Sequence, residues 1–366
     1  MEGWKLEPDR SVADELARLT LELCGVPSET GNEARLADGV EARCRAEAGD
    51  AAVRRVGNSV ICDPLGGSPP GGLPAIALVG HLDTVRCAEA QAYEIRDGRV
   101  YGCGASDMKG GVATMLALLE WWREMRGARP VWIFYDREEG PFEQNGLQAV
   151  FEGGVLPPLD FALILEPTDG ALQLGCVGTL SARVTVRGTR AHAARPWQGE
   201  NALYRAIPLL RRLEAYGRKA HPRGELVFYE VMNATQAHTA NSPNVVPDAV
   251  VLHLNYRFPP GMPLAEAEGE VRRVVSADGE VEIRDAAPAG EVFLDHPLLE
   301  PWRRAERLRI EPKQAWTDVA RFTARGIPAV NFGPGETAQA HQANEWCSVA
   351  SLERSYAALL RRFLQG

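Results

Sequence analysis

The sequence predicts an α/β protein: a mostly parallel sheet flanked by helices, interrupted by an inserted β-α-β-β-α-β domain. Three observations carry this reading. The runs VWIFYD (131–136) and FALIL (161–165) are continuously apolar, as strands buried on both faces are. They alternate with segments of helical periodicity, the pattern of a parallel sheet covered by helices. From about residue 178 this style gives way to alternating strands and two amphipathic helices, and after about 297 it resumes.

Taken in order, residues 11–24 and 32–48 have helical spacing, with Thr30-Gly31-Asn32 as punctuation between them. Strands are expected at 53–63 and 75–79, separated by the turn-rich loop LGGSPPGG (65–72). A helix at about 111–125 follows a double glycine, and the two apolar strands come next. LSARVTVRG (180–188) alternates, NALYRAIPLLRRLEAY (201–216) is helical, and ELVFYEVM (225–232) and AVVLHLNYRF (249–258) are strands. PLAEAEGEVRRVV (263–275) is helical and EVEIRD (280–285) is a last strand, which completes a ferredoxin-like split unit: four strands with two helices on one face. The expected division is therefore 1–177 with 292–366, and an insert at 178–291, hinged near 176–180 and 287–296. There is no tandem repeat or low-complexity tract.

A chain of 366 residues suits two domains, and 45% hydrophobic residues supply enough surface for ordinary cores. The formal charge of −9 excludes nucleic acid as an expected partner, since a phosphate backbone calls for a basic face. No basic run points to an anionic membrane, and no apolar stretch reaches the roughly 18–20 residues of a spanning helix. The N-terminal stretch has charges throughout and no signal core. Seven cysteines without a C-x-x-C pair fit neither a disulfide framework nor a thiolate zinc site. Together these features predict a soluble, reduced, cytoplasmic protein.

Five clusters carry imidazole or carboxylate groups, four of them at the end of an apolar run or beside glycine. ALVGHLDTV (77–85) runs a buried strand into His81, and Asp83, two residues on, points the same way and can accept the second ring N–H. Alone, H-x-D more often marks a core histidine with an Asp cap. YGCGASDMKGG (101–111) is not a phosphate loop, because Met108 precedes Lys109 and Gly110 follows it; Asp107 also replaces the third glycine of a dinucleotide fingerprint. Asp107 by itself reads as a helix cap. IFYDREEG (133–140) sets Glu138 and Glu139 side by side, so that one can hold a metal while the other moves a proton; a lone pair of glutamates more often marks a solvated turn. ALILEPTDG (162–170) brings Glu166 to a strand end, held extended by Pro167. AQAHQANEW (338–346) contributes His341. On strand 249–258, His253, Asn255 and Arg257 share a polar face. Mixed histidine and carboxylate ligands without thiolate suit a catalytic metal site rather than a structural one.

At these residues the chain resembles the dizinc aminoacylase and carboxypeptidase family of metallopeptidases. H-x-D-T-V (81–85), G-x-G-x-x-D-M-K-G-G (102–111), E-E (138–139), E-P-T (166–168) and His341 follow the family's order over nearly the whole length. Within it, the stretch 166–202 with NYRF (255–258), WTDVARF (316–322) and NFGPG (331–335) is most similar to the actinobacterial branch that desuccinylates N-succinyl-LL-2,6-diaminopimelate. The resemblance implies a zinc-peptidase-like catalytic domain with an inserted lid and dimerisation domain. It implies two Zn2+ ions, with Co2+ or Mn2+ as substitutes: His81 and Glu166 on one, Glu139 and His341 on the other, Asp107 bridging. Glu138 would be general base and proton donor, Asp83 would orient His81, and His192 would reach the partner subunit's site to steady an oxyanion. Asn244, Arg257 and Gly335 would contact substrate. The expected reaction is hydrolysis of an N-acyl amino acid by a homodimer. Deacetylation of acetylornithine, deacylation of a related amino acid and carboxypeptidase action are alternatives, and a catalytically inactive binding protein is the alternative of another class. Cys176, Val177 and Pro243 depart from the proteobacterial form, which has arginines and a second asparagine there.

Overall fold

A computed structural model of the chain describes residues 11–66 and 72–365. The start of the N-terminal stretch read above, and most of the 65–72 loop, lie outside the described residues. The chain divides into two compact units: one runs to Leu174 and adds Phe293–Glu311 and Arg321 onward, and the other is Gly175–Val292 with Pro312–Ala320. The insert thus begins three residues before the expected 178, and a short return segment joins it.

The first unit is built on an eight-stranded sheet in the order Val53–Val56, Ser59–Cys62, Arg129–Tyr135, Ala75–His81, Phe161–Pro167, Ala329–Gly333, Leu172–Leu174, Ile310–Pro312. The middle four strands are mutually parallel. Every residue of Arg129–Tyr135, Ala75–His81 and Phe161–Pro167 is buried, which is why their sequences are apolar without alternation. Expected strand 53–63 is a hairpin that turns at Gly57, and expected helix 111–125 is regular only over Gly110–Leu119. Gly111 is needed where this helix crosses the Phe161–Pro167 strand, because a Cβ there would collide with the Leu165 carbonyl oxygen.

The second unit has five antiparallel strands in the order Arg218–Arg223, Leu226–His238, Ala249–Phe258, Gly178–Arg187, Glu280–Ala287. The last four reproduce the expected split unit. Its helices, Ala202–Arg205, Ile207–Tyr216 and Leu264–Val275, bury Leu209, Leu213, Val271 and Val274 with Leu180, Val184, Leu252 and Leu254 of the sheet. The edge strand RKAHPR (218–223) was not expected: half of it is charged, it contains proline, and it is placed by pairing with its neighbour rather than by its own propensity.

The cysteine reading needs correction. Cys87 and Cys103 form a disulfide with a Cα–Cα distance of 5.7 Å, while Cys24, Cys44, Cys62, Cys176 and Cys347 are buried and free. A single pair separated by 16 positions leaves no spacing pattern, so the count gave no warning. Among the described residues, no helix is long and apolar enough to cross a membrane.

Candidate metal centre

Adjacent parallel strands deliver the first ligand candidates at their C-terminal ends, where open α/β sheets gather their chemistry. His81 ends its strand opposite Tyr135. On the other side Val79 pairs with Ile164, so Glu166 stands level with His81 two residues further on, and the two side chains share a face. Glu166 Oε1 lies 3.8 Å from His81 Nε2. Both residues are buried.

Asp107 comes from an irregular turn at 105–109, entered through Gly104 in the left-handed region (φ 79°) and containing a cis Asp107–Met108 peptide. One carboxylate oxygen, Oδ1, is 3.2 Å from His81 Nε2, and the other, Oδ2, is 3.6 Å from His341 Nε2. His341 Nε2 also faces both oxygens of Glu139, at 3.0 and 3.1 Å. Among the described residues the potential ligand atoms fall into three overlapping sets, each lying within 4.8 Å; two of them, His81–Asp107–Glu166 and Asp107–Glu139–His341, have Asp107 in common. Glu138 lies within the same distance of His81 and Glu139. A donor set of two imidazoles and carboxylates, with one carboxylate turned to both histidines, fits a pair of divalent cations.

Asp83 ties the site together. The His81 Nδ1–H donates to the Asp83 backbone carbonyl at 3.0 Å, and the carboxylate lies at 3.5 Å, so the carbonyl rather than the expected carboxylate is the nearer acceptor. With Nδ1–H held by either partner, Nε2 is the nitrogen left to face Asp107, where it gives up its proton when a metal binds. The Asp83 carboxylate accepts the backbone N–H groups of Glu138 (2.9 Å) and Glu139 (3.0 Å) and the hydroxyl of Thr30 (3.0 Å). One buried carboxylate thus holds two ligand-bearing segments. Thr30, which in the sequence reads only as punctuation between helices, belongs to this network; a threonine in a loop carries no signal of such a role.

Burial alone would push His81 down, but its hydrogen bonds to Asp107 and Asp83 and the charges of Glu138 and Glu166 hold it well above the usual imidazole range. His341 is raised to about 9, chiefly by its bond to Glu139. Burial raises Glu139, aided by the negative charge of Asp107.

The remaining expected residues lie in two places. Gly335 belongs to the first unit and is buried, donating its N–H to Ser351 Oγ at 3.1 Å and accepting from the Asp169 N–H at 3.1 Å. His192, Asn244 and Arg257 all belong to the second unit. Ala191–His192 pairs with Val245–Val246, and the Ala193 N–H donates to the Asn244 carbonyl at 2.9 Å, so His192 and Asn244 are neighbours. His192 is exposed, and its Nδ1 accepts the Ala194 N–H at 3.0 Å, which leaves the proton on Nε2. Arg257 Nε donates to Asn255 Oδ1 at 3.0 Å, and burial lowers the guanidinium pKa.

Known proteins resemble this chain over most of its length. The model of peptidase family M20/M25/M40 matches residues 77–365. A putative succinyl-diaminopimelate desuccinylase of Mycobacterium tuberculosis is 37% identical, covering 95% of this chain and 97% of its own length. A succinyl-diaminopimelate desuccinylase of Corynebacterium glutamicum is 34% identical over 98% and 99%. Among solved structures, a tripeptidase from Staphylococcus aureus superposes with a TM-score of 0.80 at 21% identity, covering 96% of this chain and 98% of its own. A dinuclear metal-binding peptidase of the M20 family from Bacillus subtilis gives 0.66 at 17% identity, covering 96% and 97%. Fold and site together define a metal-dependent hydrolase. The chain belongs to peptidase family M20/M25/M40.

Proposed function

We propose that this protein hydrolyses N-succinyl-LL-2,6-diaminopimelate to succinate and LL-diaminopimelate, with two zinc ions at the centre described above. The observation that carries the substrate is the match, over nearly the whole chain, to two relatives that bear the desuccinylase name. His81 and Glu166 would hold one cation, Glu139 and His341 the other, and Asp107 both, in keeping with the two ligand sets that share Asp107.

When bound, the cations supply Lewis-acid polarisation of the amide carbonyl and lower the pKa of water. The chain's own groups do the rest. Asp83 fixes the backbone of Glu138 through its N–H. Glu138 takes the proton of the attacking water and returns it to the leaving amine. His192, with its proton on Nε2, donates to the developing oxyanion.

His192 would act on the partner's site in a homodimer paired through the second unit. Two features of that unit support pairing. Trp197 and Tyr204 are 76% and 71% exposed, and Leu203, Ile207 and Leu210 are exposed nearby in sequence. The strand Leu226–His238 is paired on its outer side only to Val231, leaving an exposed edge at 233–238. For Asn244, Arg257 and Gly335 the substrate roles rest on the resemblance alone.

Turnover of N-succinyl, N-acetyl and dipeptide substrates by the zinc-supplied protein tests the reading. A preference for the succinyl diamine supports it. Preference for the acetyl compound or the dipeptide moves the protein to a sister activity, and Cys176 and Val177, both buried, are the positions where the acyl end would then differ.

A further inference from the structure

Glu345 has no part in the chemistry described so far, yet it is 4% exposed and its carboxylate bonds only to the turn that carries Asp107. Its Oε1 accepts the backbone N–H groups of Ser106 at 2.8 Å and Asp107 at 2.9 Å, and its Oε2 accepts that of Gly104 at 2.7 Å. Three N–H groups of one turn wrap a single carboxylate, an anion nest of the backbone. The nest depends on Gly104. Its φ of 79° favours glycine, and a Cβ at this position would lie only 2.6 Å from Thr84 Cγ2, so no side chain fits.

The other end of Glu345 is equally fixed. Its N–H donates to Gln91 Oε1 at 2.9 Å, and its carbonyl accepts from Gln91 Nε2 and the Gly102 N–H, both at 3.1 Å. Ser106 Oγ donates to the Trp346 carbonyl at 2.8 Å, and Trp346–Ser348 pairs with Arg99–Tyr101 on the approach to the same turn. Glu345 follows His341 by four residues. It therefore joins the segment carrying His341 to the segment carrying Asp107, and among the described residues no ligand set includes it.

We propose that Glu345 is a positioning residue that sets the Asp107 carboxylate between His81 and His341. A carboxylate suits the task because charge-assisted bonds to N–H groups are shorter and stronger than neutral ones, and because two oxygens serve three donors in a dry site. Glutamine keeps the shape but turns an NH2 group toward at least one N–H, and alanine leaves three donors unanswered. The inference rests on the reading of Asp107 as a metal ligand, and the test separates the two.

Zinc affinity, measured by chelator competition on the full-length protein, is compared among wild type, Glu345→Gln and Glu230→Gln. The last removes an equally buried, multiply bonded carboxylate in the second unit. Glu345→Gln is expected to lose roughly ten- to a hundredfold in affinity, the scale of groups that orient metal ligands. Glu230→Gln should keep wild-type affinity. The cobalt-loaded variant should show an altered visible absorption spectrum, which a general loss of stability would not produce. Amide exchange of residues 102–109 in the metal-free protein gives a readout independent of metal, and should be faster in Glu345→Gln with residues 161–167 unchanged. Wild-type affinity and exchange in Glu345→Gln would overturn the proposal, as would an equal affinity loss in Glu230→Gln. If wild type binds no zinc, the ligand reading fails, and the positioning of Asp107 as a ligand fails with it; unchanged affinity in the variant alone defeats only the role of Glu345. Should Glu345→Gln not fold, Glu345→Asp, which keeps the charge but draws it back by one methylene, must show the same losses, and full affinity there is equally fatal.

Discussion

Two clusters of buried and half-buried carboxylates, one in each unit, use the same residue types to opposite ends. In the second unit Glu230 accepts from Lys219 (2.9 Å), Tyr256 (3.0 Å) and His221 (2.7 Å), Glu270 accepts from Lys219 (3.2 Å) and Arg273 (2.6 Å), and the single Tyr216 hydroxyl lies between the two carboxylates. These donors win over burial for Glu230 and hold it below the usual range; Arg273 foremost brings Glu270 to about 2. In the first unit Asp107, Glu138, Glu139 and Glu166 converge on His81 and His341, and there burial and neighbouring anions win, so that Glu139 is raised. Glu345, beside them, is raised to about 7 by burial against the three N–H groups that it accepts. The difference teaches what burial of an acid means. A carboxylate set that brings lysine and arginine is a structural brace, and a set that gathers anions around imidazoles, which can exchange a proton for a metal, is a place for cations from outside.

The largest effect that can break the comparison is catalytic. Glu138→Gln should lower turnover by about 10²–10⁴-fold, the usual scale for a general base, while zinc content stays at the wild-type level. Near-normal turnover in the zinc-loaded variant would remove Glu138 from the reaction. Glu230→Gln, by contrast, should leave kcat unchanged.

Next is the link between subunits. His192→Ala should cost about 10²–10³-fold in kcat, as loss of one oxyanion donor does. Mixing it with Glu138→Gln distinguishes the arrangements. If His192 serves the partner's site, heterodimers regain one working site of two; if it serves its own, they stay inactive after verified exchange of subunits.

The smallest effect is on stability, and its sign differs between the clusters. For Glu345 the folded value lies above the ordinary 4.5, so its protonated form adds stability that is present below about pH 4.5 and is lost as pH rises through about 7. For Glu270 the folded value lies below 4.5, so its contribution is present above about 4.5 and is lost as pH falls toward about 2. Melting of the metal-free protein should therefore shift up by a few degrees on going from pH 7.5 to 5. Glu345→Gln should flatten that rise, and Glu270→Gln should soften the decline at lower pH. An unchanged profile in both variants would mean that these groups do not titrate as their surroundings require.

Much of this was legible in the sequence, for reasons that differ by residue. The strands 131–136 and 161–165 were visible because burial on both faces writes itself as unbroken apolar runs, and that placed Glu138, Glu139 and Glu166 at strand ends. The split unit was visible because alternation and helical spacing each recur twice. What stayed hidden depends on long-range pairing. The edge strand Arg218–Arg223 has no propensity of its own, and the Cys87–Cys103 pair has no spacing signature. Glu345 stood within AQAHQANEW without being singled out, because its partners are backbone N–H groups some 240 positions away, which no local pattern encodes. The second unit's return segment Pro312–Ala320 was hidden for the same reason.

The most direct measurement is the zinc content of dialysed wild type and Asp107→Ala, by elemental analysis together with titration of the metal-free forms. Asp107 alone belongs to both the His81–Glu166 and the Glu139–His341 sets. Wild type should hold about two zinc ions per chain, Asp107→Ala should lose affinity for both together, and Glu139→Gln, run alongside, should weaken mainly one. Two-site binding in Asp107→Ala equal to that of wild type would contradict the shared centre and return Asp107 to the role of a helix cap.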